Sequence, residues 1–407
     1  MTVSEALLNC ISAALDGREC ALTLAPDDWT VLLRLAGEQK LLPLVYAAVR
    51  GTPGFAAAPE AVRAAARRQT MREAAAQTVH TEAFLRLYQA LRAEGLAPVV
   101  VKGIVCRALY PQPELRPSSD EDLYLTAAEM PRFHAVLLRA GFVLTEPERD
   151  YRSAHEARYV HPDTGLVVEG HWALFPTEYA VYAALNVQLP DLMQRAQDWE
   201  SGGVTLRVPD ACDHLIFLLL HAFKHFISSG VGVRQLCDIA LWMRRFGAQI
   251  DWQRVRAALR ATHSEGFAAA VIDAGVHWFG LERAAAHIPP DWETLESAAL
   301  LADALSGGVY GSADSTRRHS CTITIHAADR AHRGGTGRAS LCAALFPGHE
   351  VMAGWYPYVA RCPALLPAAW VQRIWRYLRT RGKHTSAQDS LRVGAQRVEL
   401  LRQYRVL

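Results

Sequence analysis

Asp120 and Asp122 stand two residues apart at the head of the apolar run Leu123-Tyr124-Leu125, and this spacing constrains the chain more than any other feature. Successive side chains of a strand alternate faces. In a strand here both carboxylates project from one side while Leu123 and Leu125 pack into the other. Two carboxylates on one face are costly unless a cation sits between them. Hard divalent ions take oxygen ligands and are commonly held by one or two carboxylates plus substrate phosphates. The pattern therefore points to phosphoryl or nucleotidyl transfer as the first chemistry to consider.

Composition sets the bounds. With 407 residues, 51% of them apolar and 21% charged, the chain reads as an ordinary globular protein of two or three domains. A net charge of +2 gives no global electrostatic attraction to nucleic acid or to an anionic membrane, and argues against a long nucleic acid as partner. The eight cysteines are scattered without a C-x-x-C pair. That usage fits a reducing compartment. The first residues show no basic segment followed by an apolar core and a small-residue cleavage site, and no stretch is long and apolar enough for a membrane span. The expectation is a cytoplasmic protein. Only Lys40, Lys102, Lys224 and Lys383 are lysine, and the remaining basic residues are arginine, which with the abundant alanine suggests a high-GC bacterial coding bias. In that background a lysine beside a glycine, as at Lys102-Gly103, hints that a compact ammonium is wanted there.

Along the chain, residues 1–94 repeat apolar side chains at helical spacing, as in Phe84, Leu87, Tyr88 and Leu91, and form a helical N-terminal region. The character changes at Ala97. Pro98-Val99-Val100-Val101 reads as a buried strand ended by Lys102-Gly103, and Ile104 to Tyr110 as a short helix. The Asp120 strand follows a proline-rich loop, and Met130 to Ala140 reads as a helix closed by Gly141. Phe142 to Leu144 suits a third strand, and residues 155–172 a hairpin turning at Pro162-Asp163-Thr164-Gly165. These elements define a core over 95–205. Helical patterns return over 206–290 and again in a C-terminal extension over 291–407, with a flexible Gly- and Ser-rich connection near 307–340. Gly334-Gly335-Thr336-Gly337 lacks the preceding strand and closing Gly-Lys-Ser/Thr of a phosphate loop.

A third carboxylate should come from a neighbouring strand, and Glu169 fits. It lies in Leu166-Val167-Val168-Glu169-Gly170-His171-Trp172, where Val167, Glu169 and His171 share a face. A carboxylate in so apolar a strand is rarely buried without a partner. Next to the Asp120 strand, it would bring the three acids together around Mg²⁺ or Mn²⁺. Lys102 and the amides at Gly103 would then hold phosphate oxygens, with Arg116, Ser118 and Ser119 as further phosphate or hydroxyl contacts. Plain alternatives exist for each piece. Asp-x-Asp is common in turns, Lys102 can be a solvated strand end, and Glu169 can pair with Arg158 or Arg152 across the hairpin. His221 and His225, four apart on one helical face, have no evident third metal ligand and read as structural or substrate-facing, with Lys224 and Arg234 in reach of a triphosphate. Arg234 and Asp238 have the spacing of an ordinary helix ion pair. The basic run Arg373, Arg376, Arg379, Arg381, Lys383 reads as a solvated helix face.

Taken together, Lys102-Gly103, Leu109-Tyr110-Pro111, Arg116-Pro117, Asp120 with Asp122, Glu169 with His171-Trp172, His221, Lys224-His225, Arg234 and Asp238-Ile239-Ala240 resemble the uncharacterised nucleotidyltransferase family within the polymerase-beta-like superfamily. The resemblance spans residues 1–290, with a looser likeness to the family's C-terminal extension at Phe346-Pro347, Tyr356-Pro357 and Leu365-Leu366-Pro367. It implies an α+β fold, a small mixed β-sheet nucleotidyltransferase palm embedded in a mostly helical chain, with Asp120, Asp122 and Glu169 in the metal positions. It also implies an NTP such as ATP as co-substrate and a hydroxyl-bearing acceptor, a small molecule or a protein. Two positions depart from the wider pattern. Lys-Gly stands where many members have Gly-Ser, and Glu121 occupies a middle position that is often apolar, which suggests a partly open strand face because a buried glutamate is expensive. The rival readings are a phosphotransferase using the same carboxylates, and a catalytically silent module that binds a nucleotide or a partner protein.

Overall fold

The computed structural model describes residues 1–147, 151, 155–311, 315–335, 346–380 and 387–407. Arg152, Thr336, Gly337, Arg381 and Lys383, named above, lie outside the described residues.

The N-terminal region is helical, as its periodicity requires: α1 Val3–Leu15, α2 Pro26–Glu38, α3 Leu42–Val49, α4 Pro53–Ala56 and α5 Glu60–Ala93. Local sequence explains where these begin. Thr2 and Glu5 form a reciprocal capping box at the start of α1, and proline opens α2. α5 runs 34 residues, and its large buried side chains Phe84, Leu87, Tyr88 and Leu91 lie in its C-terminal half. That half is the one that packs beneath the sheet.

One seven-stranded mixed sheet follows: β1 Val99–Val100, β2 Glu121–Tyr124, β3 Val143–Leu144, β4 Glu156–Val160, β5 Val167–His171, β6 Gln197–Ser201 and β7 Val204–Val208. Their order is β3-β4-β5-β2-β1-β7-β6. β2 is antiparallel to β1 and parallel to β5, with Asp122 opposite Glu169 and Tyr124 opposite His171. The short helices α6 Ile104–Arg107 and α7 Met130–Arg139 connect the inner strands, and α8 Ala180–Asn186 and α9 Leu192–Arg195 lead to the last hairpin. The β6–β7 hairpin is an addition to the elements expected from sequence. Its signals are there: Gly202-Gly203 takes positive φ at the turn, and Val204, Leu206 and Val208 alternate into the core. β7 joins β1 in parallel, and the Tyr88 hydroxyl accepts from Arg207 N and donates to Pro98 O, so α5 clamps both strands.

Helices α10 Ala211–Ile227, α11 Val233–Phe246, α12 Trp252–Ala261, α13 Glu265–Trp278 and α14 Ala298–Gly307 pack around the sheet in one continuous apolar core. Further helices cover Ser315–His332 (α15), His349–Trp355, Pro357–Arg361, Leu366–Thr380 and Ala387–Gln403. α15 places a helix over Ser315–His332, within the stretch read as a Gly- and Ser-rich connection near 307–340. Its Ser320 and Thr324 are fully buried, and Thr324 donates to the carbonyl of Ser228 just past the end of α10. Arg397 reaches the same end, donating to the carbonyls of Phe226 and Ser228. Helix ends leave carbonyls without intrahelical partners, and Thr324 and Arg397 fold inward because they satisfy them, while Ser320 donates to the Arg317 carbonyl of its own helix. No helix among the described residues is long and apolar enough to cross a membrane.

Candidate active site

The site is assembled where β1 ends. Val99, Val100 and Val101 are buried, so the chain must turn sharply at Lys102-Gly103 to start α6. Gly103 has φ 65°, and a Cβ there would lie 1.9 Å from Glu121 Oε2. Only glycine meets both demands. Glu121 itself is 1% exposed, so its strand face is closed, contrary to the expectation of a partly open one. The compensation comes from Arg107, whose Nη1 lies 2.6 Å from Glu121 Oε1, and from the Ile104 amide, which donates to Oε2 at 2.7 Å. A buried carboxylate is tolerable when paired and hydrogen-bonded in this way.

With Glu121 turned inward, Asp120 and Asp122 project from the opposite face. Lys102 Nζ lies 2.8 Å from Asp122 Oδ2 and 3.7 Å from Asp120 Oδ1, an ammonium bridging the two carboxylates. β5 brings Glu169 beside Asp122, as the alternation of residues 167–171 implies, and brings His171 with it. His171 Nε2 is 3.2 Å from Asp122 Oδ1 and 3.7 Å from Glu169 Oε2, while Nδ1 faces Glu156 Oε2 at 3.6 Å. Arg158 Nε lies 3.4 Å from Glu169 Oε1, the cross-hairpin pair that the sequence allowed. From the helical side, His221, Lys224 and His225 of α10 close the opposite wall. The cavity between them measures about 230 Å³ and is lined by both aspartates, Glu156, Glu169, His171, Lys102 and these three residues.

Charges in this cavity shift one another. Burial pushes the Asp122 carboxyl up, but the Lys102 ammonium and His171 outweigh it and hold it well below the usual range. Glu169 moves the other way. Burial, reinforced by the charges of Asp122 and Asp120, raises it to about 7. Burial lowers His171, yet the hydrogen bond and charge of Asp122 carry it above its ordinary value. His221 and His225 are held well below theirs by burial, with Lys102 and His225 adding to the effect at His221, and Lys224 and Lys102 at His225. Their rings are neutral.

The residues present suit a divalent cation. Ligand atoms of Asp122, Glu169 and His171 all lie within 4.8 Å of one another, and Lys102 already shows that the aspartates gather positive charge. Asp120 belongs to the same cavity but stands outside that compact donor group, and His171 takes the third place in it. His171 and Glu156 were not among the candidates read from sequence. His171 could have been found from its shared face with Glu169, and Glu156 from its place opposite His171 in the hairpin.

Other candidates sit elsewhere. Arg116 is 1% exposed and grips both oxygens of Asp238, so the expected Arg234–Asp238 helix pair does not form. Arg234 instead donates to the Pro117 carbonyl. The Ser118 amide donates to Gln77 Oε1 and its hydroxyl accepts from Arg116 Nη1. None of Gly103, Arg116, Ser118, Ser119 and Arg234 lines the cavity; Arg116, Ser118 and Arg234 hold the loop that delivers Asp120.

No curated protein and no solved structure matches the chain significantly. A family described as uncharacterised nucleotidyltransferase matches residues 25–280, more than half of the chain, and takes in every residue of the cavity. The protein belongs to this nucleotidyltransferase family.

Proposed function

We propose that the protein transfers a nucleoside monophosphate from an NTP to a hydroxyl-bearing acceptor, releasing pyrophosphate. The observation that carries the reading is the parallel pairing of Asp122 with Glu169, with Asp120 in the same cavity and Lys102 bridging the aspartates. Asp120, Asp122 and Glu169, with His171 beside them, would hold Mg²⁺ or Mn²⁺. Such an ion, when bound, polarises phosphate oxygens and makes a coordinated hydroxyl more acidic.

The chain's own groups supply the rest. Glu169, beside Asp122 in the same cavity, would complete the ion's ligands or take the acceptor's proton as the acceptor oxygen bonds to the α-phosphorus and the bond to pyrophosphate breaks. Lys102 and Lys224 converge on the cavity from two sides and suit phosphate oxygens as point charges. The neutral rings of His221 and His225, with Leu174 and Phe217, wall the cavity without adding positive charge. The cavity accepts phosphate-sized groups, and a small molecule or a protein side chain could present the acceptor hydroxyl.

The test is transfer of label from α-³²P-NTPs with Mg²⁺ or Mn²⁺ into fractionated host extract, comparing wild type with Asp120→Asn and Asp122→Asn. Label appearing with wild type alone supports nucleotidyl transfer and marks the fraction holding the acceptor. Label that enters only from the γ position favours a phosphotransferase. No label, in a folded protein that binds neither NTP nor metal, favours a silent binding module.

A further inference from the structure

The N-terminal half of α5 packs against α3 along one side and leaves its other side exposed. Between Glu60 and Gln77 the residues it buries fully enough to count as core are Ala66 and Thr70, while Met71 is 65% exposed and, further along, Val79 is 45% exposed. Beside it, α3 and α4 form the other wall of a groove of about 880 Å³. Its rim carries Arg50, Arg63, Arg67, Arg68 and Arg72, and Glu60 is the one acid in its lining. None of these arginines makes an ion pair among the described residues, in a chain whose net charge is only +2. The cluster is therefore a local excess of positive charge, five arginines against Glu60 in the groove's lining, with no ion pair to any of the five among the described residues.

We infer that this groove docks an acidic amphipathic helix from a partner protein. Three observations choose that occupant. Ala64, Met71, Ala75 and Val79 recur at spacings of seven and four, the apolar stripe a second helix packs along. A second copy of this chain would set arginine against arginine. A nucleic acid would leave the stripe unused and find no stacking platform, since Phe55 is buried and Tyr46 is half-buried. An incoming helix with leucines at matching spacing and glutamates on either flank meets both the apolar stripe and the guanidinium rim, where carboxylates can be held bidentately. The aligned length from Arg63 to Val79 spans about 24 Å at the helical rise. This docking surface is independent of the catalytic reading.

The experiment is fluorescence anisotropy on the full-length protein with a labelled peptide of about 20 residues, long enough to form a helix. It carries leucine at heptad spacing and glutamate at the flanking positions. Expected is saturable binding that falls at least about tenfold with Arg67→Glu/Arg68→Glu and with Met71→Asp, and is lost when the peptide's glutamates become lysines. These side chains are exposed, so unchanged circular-dichroism melting verifies that the variants fold. No saturable binding overturns the inference. So does Met71→Asp binding as wild type, which would reduce the groove to a generic polyanion site, or an RNA oligonucleotide of equal charge binding more tightly than the peptide.

Discussion

Arg116 and Asp238 are separated by 122 positions in the chain, yet they form a two-armed ion pair inside the protein, with Arg116 Nε 2.8 Å from Asp238 Oδ1. The Tyr110 hydroxyl donates to the same Oδ1 at 2.7 Å. The pair ties α11 to the loop that leads into Asp120, and Arg234 of the same helix holds that loop again through Pro117. The first carboxylate of the site is thus placed by a helix from another part of the chain.

Replacing Asp238 by Asn leaves the Arg116 guanidinium buried without its counter-charge. The expected cost is about 3–5 kcal/mol, the usual penalty for breaking a buried pair from one side. Urea unfolding followed by tryptophan fluorescence measures it. A loss within experimental error would show that the pair contributes nothing to holding the loop.

Glu121 and Arg107 form a second buried pair, tightened by the Ile104 amide. Gly103→Ala drives a methyl into the Glu121 carboxylate and strains a residue at φ 65°. We expect destabilisation of at least about 2 kcal/mol. Adding Glu121→Ala to Gly103→Ala does not restore stability, because Arg107 is then orphaned. Full recovery in the double variant would sink this account of the turn.

Lys102 holds Asp120 and Asp122 in the place where a cation would also be drawn. Lys102→Met removes the ammonium and leaves the aspartates and Glu169 facing one another. The metal-free variant should melt lower than wild type, and saturating Mg²⁺ or Mn²⁺ should raise its melting temperature by more than it raises that of wild type. Equal responses would mean that lysine and metal do not compete for the same carboxylates.

Glu169 sets a pH dependence whose sign can be worked out. Its carboxyl is raised to about 7 from an ordinary 4.5, so between those values the folded chain holds a proton that the unfolded chain has released. Stability of the metal-free protein from this group is full below the lower value and declines as pH rises through the window. Glu169→Gln should flatten that decline in chemical denaturation at pH 5 and pH 7.5. Divalent-ion binding should release protons in the same window, which calorimetry in buffers of different ionisation enthalpy reads directly.

Much of the core was legible because its signals are local. The β-branched run at 98–101, the glycine after Lys102, the alternation of 120–125 and the hairpin turn at 162–165 each dictate an element within a few residues. Glu169 was recognisable because an acid in an otherwise apolar strand needs a partner. His171 shares a face with Glu169 in the sequence, but its place beside Asp122 and the position of Glu156 opposite it depend on strand register, and Arg116 reads as a phosphate contact because nothing nearby in sequence announces Asp238. The α15 helix was hidden for a related reason: its Thr324 hydroxyl is buried against the end of α10, far away in the chain.

What the sequence determined by itself was the alternation that sends Asp120 and Asp122 to one face, the glycine that permits the turn before α6, and membership of a nucleotidyltransferase family. What only the tertiary structure decided was which charges face which. Covalent neighbours and period-2 spacing fix the side of a strand on which a group emerges, but the energy of a charge depends on every opposite charge within a few ångströms and on its exclusion from water. Lys102 between the aspartates, Glu121 against Arg107 and Arg116 against Asp238 are therefore properties of the folded chain.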